Sequence, residues 1–410
     1  MKHFYIVVFL FSITLYGCKD ENAAGPGPSD SYIKLYGSEN GEFANDLLET
    51  AAGGLIILST SEIEEPIGSS FKIKVRNTDN LGNLLWETTY PEGSFDETGI
   101  SYKASSLIGT AEGYIIIGDR INANNSTSLL ILQIDQLGTE IANTSFTLGN
   151  ANDTTSLHGV DLVINSVGEI KATALIDTTT QNLWVGTFNA SDLSYEPACS
   201  FRYSSAGTNT KMLKSMALDA SDKITFGLST GTNQGKGRLV RVPSCQGSQE
   251  TGAGVDYIAN QICESLSGFA MVGTTTRNGN GDVFLARLDN NGLLQDPDII
   301  IYNNPEDLPD GNSNLNTAQQ GLSIIQTADN GFLMGGSTLN SSSGESDILL
   351  IKTDFFGTKT WARRFGDQND ERALVLKQAS DGGYLVLGNT DFGGISTLIL
   401  IKTDKMGDVK

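Results

Sequence analysis

The sequence predicts an all-β chain, folded as a seven-bladed β-propeller of four-stranded blades with the last blade closed by the N-terminal strand. Three observations carry this expectation. A unit of turn, short apolar strand, turn and second strand recurs roughly every fifty residues, the period of a propeller blade. The apolar runs are short, bounded by Gly, Asn, Asp and Ser, and carry no helical periodicity. The chain also stops at "IKTDKMGDVK" (Ile401–Lys410), three residues past a turn glycine, where its copy "IKTDFFGTKTWARRFG" (Ile351–Gly366) runs on into a further strand.

Taken in chain order, the units begin with "AAGGLIILST" (Ala51–Thr60) and "FKIKVRNTD" (Phe71–Asp79), followed by a third strand carrying Trp86 and Tyr90. The second unit holds "TAEGYIIIGD" (Thr110–Asp119) and "LLILQIDQLG" (Leu129–Gly138). Between the markers Tyr114 and Phe269 lies a 155-residue interval, which fits three units. Two degenerate copies fill it: "NSVGEIKATALI" with "LWVGTFNASDL", and "DASDKITFGLST" with "RLVRVPSCQG". The fifth unit is "LSGFAMVGTT" with "VFLARLDNNG", the sixth "TADNGFLMGGST" with "DILLIKTDFFG", and the seventh "ASDGGYLVLGNT" with "LILIKTDKMG". The missing outer strand of the seventh is found at the other end of the chain. In "SYIKLYG" (Ser31–Gly37), Tyr32 aligns with Trp361, Tyr36 with Phe365 and Gly37 with Gly366. Closure is expected to bury Tyr32, Leu35 and Tyr36 and to leave no open seam. The propeller therefore spans 31–410 and is expected to be monomeric.

Composition bounds the function. Apolar residues are 39% and charged residues 18%, in the range of ordered globular chains. The 46 glycines in 410 residues exceed the ~7% of ordinary chains and match the many turns. A formal net charge of −21 disfavours nucleic acid and anionic membrane surfaces as partners. Phe4–Tyr16 is apolar but too short for a permanent span.

That run ends in "LYGC" (Leu15–Cys18), which resembles the lipobox of bacterial lipoproteins. The resemblance implies a signal peptide over 1–17 and a lipidated (palmitate-bearing) Cys18, with a flexible tether to residue 30. Lys19, Asp20 and Glu21 resemble the surface-export signal of Bacteroidota lipoproteins; the alternative is an ordinary polar linker. The phrases DGGY-x-x-x-G-x-T (Asp381–Thr390) and IKTD-x-x-G-x-x-x-W (Ile351–Trp361) resemble a family of Bacteroidota β-propeller lipoproteins. The resemblance implies the architecture and an outer-membrane location facing the exterior. It implies much less about activity.

The Asp-x-x-Gly phrases at Asp79, Asp135, Asp289, Asp354 and Asp404 read as hairpin turns, with Asp accepting backbone N–H bonds and Gly taking positive φ. With Trp86 and Trp361 they resemble sialidase Asp boxes. Asp and Gly lie three positions apart here against two in the box, and such boxes are themselves structural. A second set of acids precedes or begins the innermost strands: Glu42, Asp96, Glu97, Asp153, Asp256, Asp370 and Glu371. They are candidates for a partial ring at a channel mouth that takes a cation or a polyhydroxylated ligand. The alternative is that each caps its own connection. Asp307, Asp310, Asn312 and Asn314 loosely resemble a calcium loop without its late glutamate; a plain polar loop is the alternative. Three cysteines remain after Cys18. Cys245 and Cys263 are expected on turns of one face and are the candidate disulfide, leaving Cys199. His158 is the one histidine outside the signal peptide, so no multi-histidine metal site can form. The expectation is a non-catalytic, cell-surface binding or scaffold protein with a glycan or protein ligand. The alternative is a carbohydrate-active enzyme, a glycoside hydrolase or lyase, using channel-mouth carboxylates.

Overall fold

The computed structural model describes residues 31–37, 40–65, 68–92, 99–148, 155–177, 182–204, 210–218, 224–230, 236–242, 249–255, 258–276, 281–291, 293–302, 318–339 and 344–410. Among them are 28 strands and no helix. Strand β1 is Tyr32–Tyr36. Blade 1 is β2–β5 (Glu42–Glu49, Leu55–Glu65, Gly68–Thr78, Leu84–Tyr90), and blade 2 is β6–β9 (Ile100–Gly109, Gly113–Asn122, Thr127–Asp135, Glu140–Phe146). Blade 3 is β10–β13 (Ser156–Ile164, Glu169–Asp177, Asn182–Asn189, Tyr195–Ser204), and blade 4 is β14–β17 (Thr210–Leu218, Ile224–Thr230, Lys236–Val242, Gln249–Val255). Blade 5 is β18–β21 (Ile258–Ser265, Gly268–Thr275, Asp282–Asp289, Leu294–Tyr302), and blade 6 is β22–β25 (Gln319–Gln326, Phe332–Leu339, Ser346–Thr353, Lys359–Phe365). Blade 7 is β26–β28 (Glu371–Gln378, Tyr384–Phe392, Ile395–Thr403) completed by β1.

Each blade is an antiparallel meander. Blades 4 and 5 join into one eight-stranded sheet through a single parallel bridge, Lys214 to Gln261, between their innermost strands. Successive innermost strands touch in ring order, and β2 returns to β26. The meander topology puts the first–second and third–fourth turns of every blade on one face, the turn face. The second–third turns and the blade-to-blade links lie on the opposite, link face.

The hydrophobic cores lie between blades. Ile56, Leu58, Ile73 and Val75 of blade 1 pack on Leu107, Ile116, Leu130 and Leu132 of blade 2. Leu47, Leu55 and Ile57 pack on Leu385, Leu387, Leu398 and Leu400 of blade 7. Middle strands are therefore covered on both sheet faces, which is why they read as unbroken apolar runs without alternation.

The expected closure is observed. Tyr32 pairs with Lys402 and Tyr36 with Leu398, the register by which Trp361 pairs with Lys352 and Phe365 with Ile348. Residue Leu35 departs from expectation: it is exposed, as is Ile33. Period-2 alternation turns Tyr32 and Tyr36 to the core and aims Ile33 and Leu35 outward from the outer strand. The seam uses bonds seen elsewhere in the ring. Ser380 N donates to Glu49 Oε2 at 2.8 Å, as Ala328 N does to Gln378 Oε1 at 2.7 Å and Leu266 N to Gln326 Oε1 at 2.9 Å. Asn389 spans the seam, accepting from Ala44 N at 3.0 Å and donating to Glu42 O at 2.7 Å.

The Asp-x-x-Gly phrases at Asp79, Asp135, Asp354 and Asp404 are turns, and their glycines also join blades; Gly292 lies outside the described residues. Asp79 Oδ1 accepts Leu81 N and Asn83 N; Asp135 Oδ1 accepts Leu137 N and Thr139 N. Gly138 has φ 83°, and a Cβ there would lie 2.7 Å from Trp86 of the preceding blade. Gly407 seats Trp361 at the same distance. Tyr36 Oη donates to Gly82 O and Tyr302 Oη to Gly357 O, both at 2.6 Å, and Tyr90 Oη donates to Gly138 O. The glycine thus serves both the local turn and the aromatic of the neighbouring blade.

Candidate functional site

Of the acids expected at a channel mouth, the three among the described residues, Glu42, Asp370 and Glu371, are each engaged within or between blades. Glu42 has zero exposure. Its carboxylate is bidentate with Arg76, through Nη2 to Oε2 at 2.9 Å and Nη1 to Oε1, with Lys74 Nζ at 3.7 Å and Ser59 Oγ donating to Oε1. Arg76 Nε meets Glu87 Oε2 at 2.6 Å, and its guanidinium lies 5.7 Å from the Tyr36 ring centroid. Glu42 is therefore an ion-pair partner inside blade 1, with Tyr36 of blade 7 beside its cation. Asp370 is exposed, and its Oδ1 caps Ser346 N at 2.8 Å. Asp96, Glu97, Asp153 and Asp256 lie outside the described residues, as do Asp307, Asp310, Asn312 and Asn314.

Glu371 begins β26 as Glu42 begins β2, with the same burial pattern along the strand. The cation differs. Strand register runs Leu47–Ile57–Arg76 in blade 1 and Leu376–Val386–Ile401 in blade 7, so Ile401 stands where Arg76 does. Glu371 receives a 2.7 Å bond from Thr390 Oγ1. Burial, with the charges of Asp367 and Asp347 adding, pushes its carboxyl up to about 7. A carboxyl raised on folding stabilises fully below its unfolded value of 4.5, and the contribution is lost as pH rises through about 7. Glu371→Gln is thus expected to match the parent at pH 4 and to exceed it at pH 8 by roughly 2–3 kcal/mol, at ~1.4 kcal/mol per unit. Urea unfolding at the two pH values measures this; an equal difference at both would refute the assignment.

The polar groups that do face the axis lie further along the innermost strands. A cavity of about 210 Å³ is lined by Asn45, Asp46, Ser106, Asp161, Gln261 and Lys377 with apolar neighbours. Each innermost strand carries a register shift here, as between Ala44 and Asp46, Ala104 and Ser106, and Gly159 and Asp161. The extra residue reaches the next blade: Asn45 Nδ2 donates to Ala104 O at 2.9 Å, Ser105 Oγ to Gly159 O at 2.7 Å and Asn260 Nδ2 to Gly321 O at 2.6 Å. The following residue accepts a neighbour's N–H. Asp46 Oδ2 takes Leu107 N at 3.0 Å, Asp161 Oδ2 takes Met216 N at 2.7 Å and Gln261 Oε1 takes Ile324 N at 2.7 Å. Asp46 and Asp161 each also accept the N–H of the residue that follows.

Ser106 Oγ donates to Asp46 Oδ2 at 3.0 Å, and Lys377 Nζ stands 3.7 Å from Asp46 Oδ1. Burial raises the Asp161 carboxyl above the usual range, with the Asp46 charge adding, against the bonds from Met216 N and Leu162 N. The cavity is below the ~300–1,000 Å³ typical of small-molecule sites and suits a few waters. The sequence signal for these groups was the triplet of small residue, bulge residue and polar residue, as in Ala44-Asn45-Asp46, Gly159-Val160-Asp161 and Ala259-Asn260-Gln261.

His158 Nδ1 lies 2.8 Å from Asp119 Oδ2, and Asp119 Oδ1 takes Gly159 N at 2.9 Å, which fastens blade 3 to blade 2. The hydrogen bond to Asp119 raises the imidazole above its ordinary value. Cys263 carries a free thiol, so it does not form the bridge expected with Cys245, which lies outside the described residues. The Cys263 side chain packs against the core between blades 5 and 6, and burial pushes its thiol up to about 12. No group of three or more His, Cys, Asp or Glu placed to hold a metal occurs among the described residues.

No family model matches the chain, and no curated protein matches it. Solved structures do. YCF48 from Cyanidioschyzon merolae is similar over 90% of this chain and 98% of its own, at 11% identity and a TM-score of 0.50. The β-propeller domain of the Trilobed protease from Pyrococcus furiosus is similar over 90% and 97%, at 8% identity and a TM-score of 0.49. At these identities the likeness is one of fold alone.

Proposed function

We propose that the chain is a lipid-anchored, cell-surface β-propeller that acts as a non-catalytic binding or scaffold protein for a glycan or a protein. The observation that carries this reading is the commitment of the channel carboxylates. Asp46 and Asp161 each spend one oxygen on the N–H of the residue that follows and the other on an N–H of the adjacent blade. A hydrolytic pair would need one carboxylate free to donate a proton and another free to attack or to activate water. Binding on the outer surfaces makes no such demand. A glycan array probed with the protein, with product analysis of each hit, tests the reading; release of shortened sugars would overturn it.

The anchor is tested separately. Cys18→Ala is expected to carry no lipid label and to leave the membrane fraction entirely. Replacing Lys19, Asp20 and Glu21 together with Ala is expected to keep the lipid but to protect the protein from protease added to whole cells. Unchanged cleavage would remove the surface assignment and leave the anchor standing.

A further inference from the structure

We propose that the turn face of the propeller lies flat against the bilayer, with its exposed apolar tips in the headgroup interface of zwitterionic lipid. This rests on the lipid-anchored reading above. Leu81, Leu137, Phe356 and Met406 occupy one equivalent place, the residue before the glycine of the Asp-x-x-Gly turn, in blades 1, 2, 6 and 7. These four blades are consecutive around the ring. Val167 and Leu266 add tips from the first–second turns of blades 3 and 5, on the same face. The six side chains are 43% to 74% exposed. Turn chemistry does not ask for them: Asp and Gly make the turn, and Asn291 fills the same place in blade 5. Among the described residues the link face offers Phe43, Leu339, Phe392 and Ile395, from three adjacent blades.

A second observation says what covers the turn face. The tether leaves from it. Ser31 precedes β1 beside the last turn of the chain, where its Oγ accepts Lys410 N at 2.9 Å. Twelve residues, 19–30, link this point to Cys18 and reach at most ~40 Å. A lipid on Cys18 therefore holds the apolar tips beside the membrane, where a high effective concentration lets shallow insertion of single side chains persist. The carboxylates of Asp79, Asp135, Asp354 and Asp404 share the face, which favours zwitterionic over anionic headgroups.

The test uses the lipidated full chain in phosphatidylcholine vesicles, with brominated phosphatidylcholine as quencher. Leu137→Trp and Phe356→Trp report the turn face and Phe392→Trp the link face, each read against the parent with its three tryptophans. The added emission from Leu137→Trp and Phe356→Trp is expected to shift to the blue and to be quenched at least twofold more than that from Phe392→Trp. Equal or weaker quenching, in protein that still sediments with vesicles, overturns the docking and leaves the anchor intact. Protein that carries no lipid and stays in the supernatant overturns both. A dimer in detergent that Leu137→Asp with Phe356→Asp dissociates, without quenching in vesicles, gives the face to a second copy and overturns the proposal.

Discussion

Removal of Ser31 to Gly37 is expected to leave a protein that aggregates or melts far below the parent, although six complete blades remain. The deletion strips β1 from β28 along all five paired positions. It uncovers the edge of a strand whose Leu398, Leu400 and Ile401 have zero exposure. Tyr32 and Tyr36 leave the core between blades 7 and 1, and the bond from Tyr36 Oη to Gly82 O goes with them. Lys34 Nζ also loses Asn83 Oδ1, 2.9 Å away. At ~1.5–3 kcal/mol per large side chain buried, the loss is comparable with a typical total stability of ~5–15 kcal/mol. The unpaired edge then templates association with other chains. Removal of Glu21 to Ser29 from the tether is expected to be nearly neutral. Thermal melts of the two deletions side by side decide the matter; identical curves would mean that β1 does not hold the ring.

Arg76→Met is expected to be the most damaging of the point substitutions considered, by ~3–5 kcal/mol, the range for breaking one side of a buried ion pair. Glu42 would keep its charge at zero exposure, with Lys74 at 3.7 Å as its remaining cation. Blade 6 supplies the repair. Its register Ile324–Met334–Ile351 places Ile351 where Arg76 stands, and Gln319 begins its inner strand where Glu42 begins blade 1. Glu42→Gln combined with Arg76→Met, an amide beside an apolar side chain as Gln319 and Ile351 are in blade 6, is therefore expected to recover most of the loss. Urea unfolding of the singles and the double, read as a cycle, measures the coupling. A double variant no better than Arg76→Met alone would show that the cost comes from lost packing around the guanidinium.

The fate of the acids shows where sequence reading stops. Glu42 and Glu371 were legible as acids at the start of innermost strands, but a propeller strand's start can face the axis or a neighbouring blade. The bulge decides. One extra residue at Asn45 shifts the alternation by one. Residues before it turn into the sheet, and Asp46 turns to the axis. The partner of each buried acid is equally hidden, because Arg76 lies two strands away from Glu42 and is replaced by Ile401 in the copy. Leu35 failed in the same manner: an apolar residue in a strand was expected to bury, yet the outer strand has one covered face only.

Features set by local chemistry and short-range period were readable from the residues alone. These are the repeat, the all-β class, the Asp-x-x-Gly hairpins and the joining of the two ends in one blade, each written in a few neighbouring residues. The tertiary structure alone decided which polar groups face the axis and which acids find a cation. It also decided that the start of β1 and the exposed apolar turn tips share a face. Those outcomes depend on register across strands and on the alternation of faces around a closed ring. A one-residue bulge inverts such relations without changing the composition or spacing of the strand that carries it.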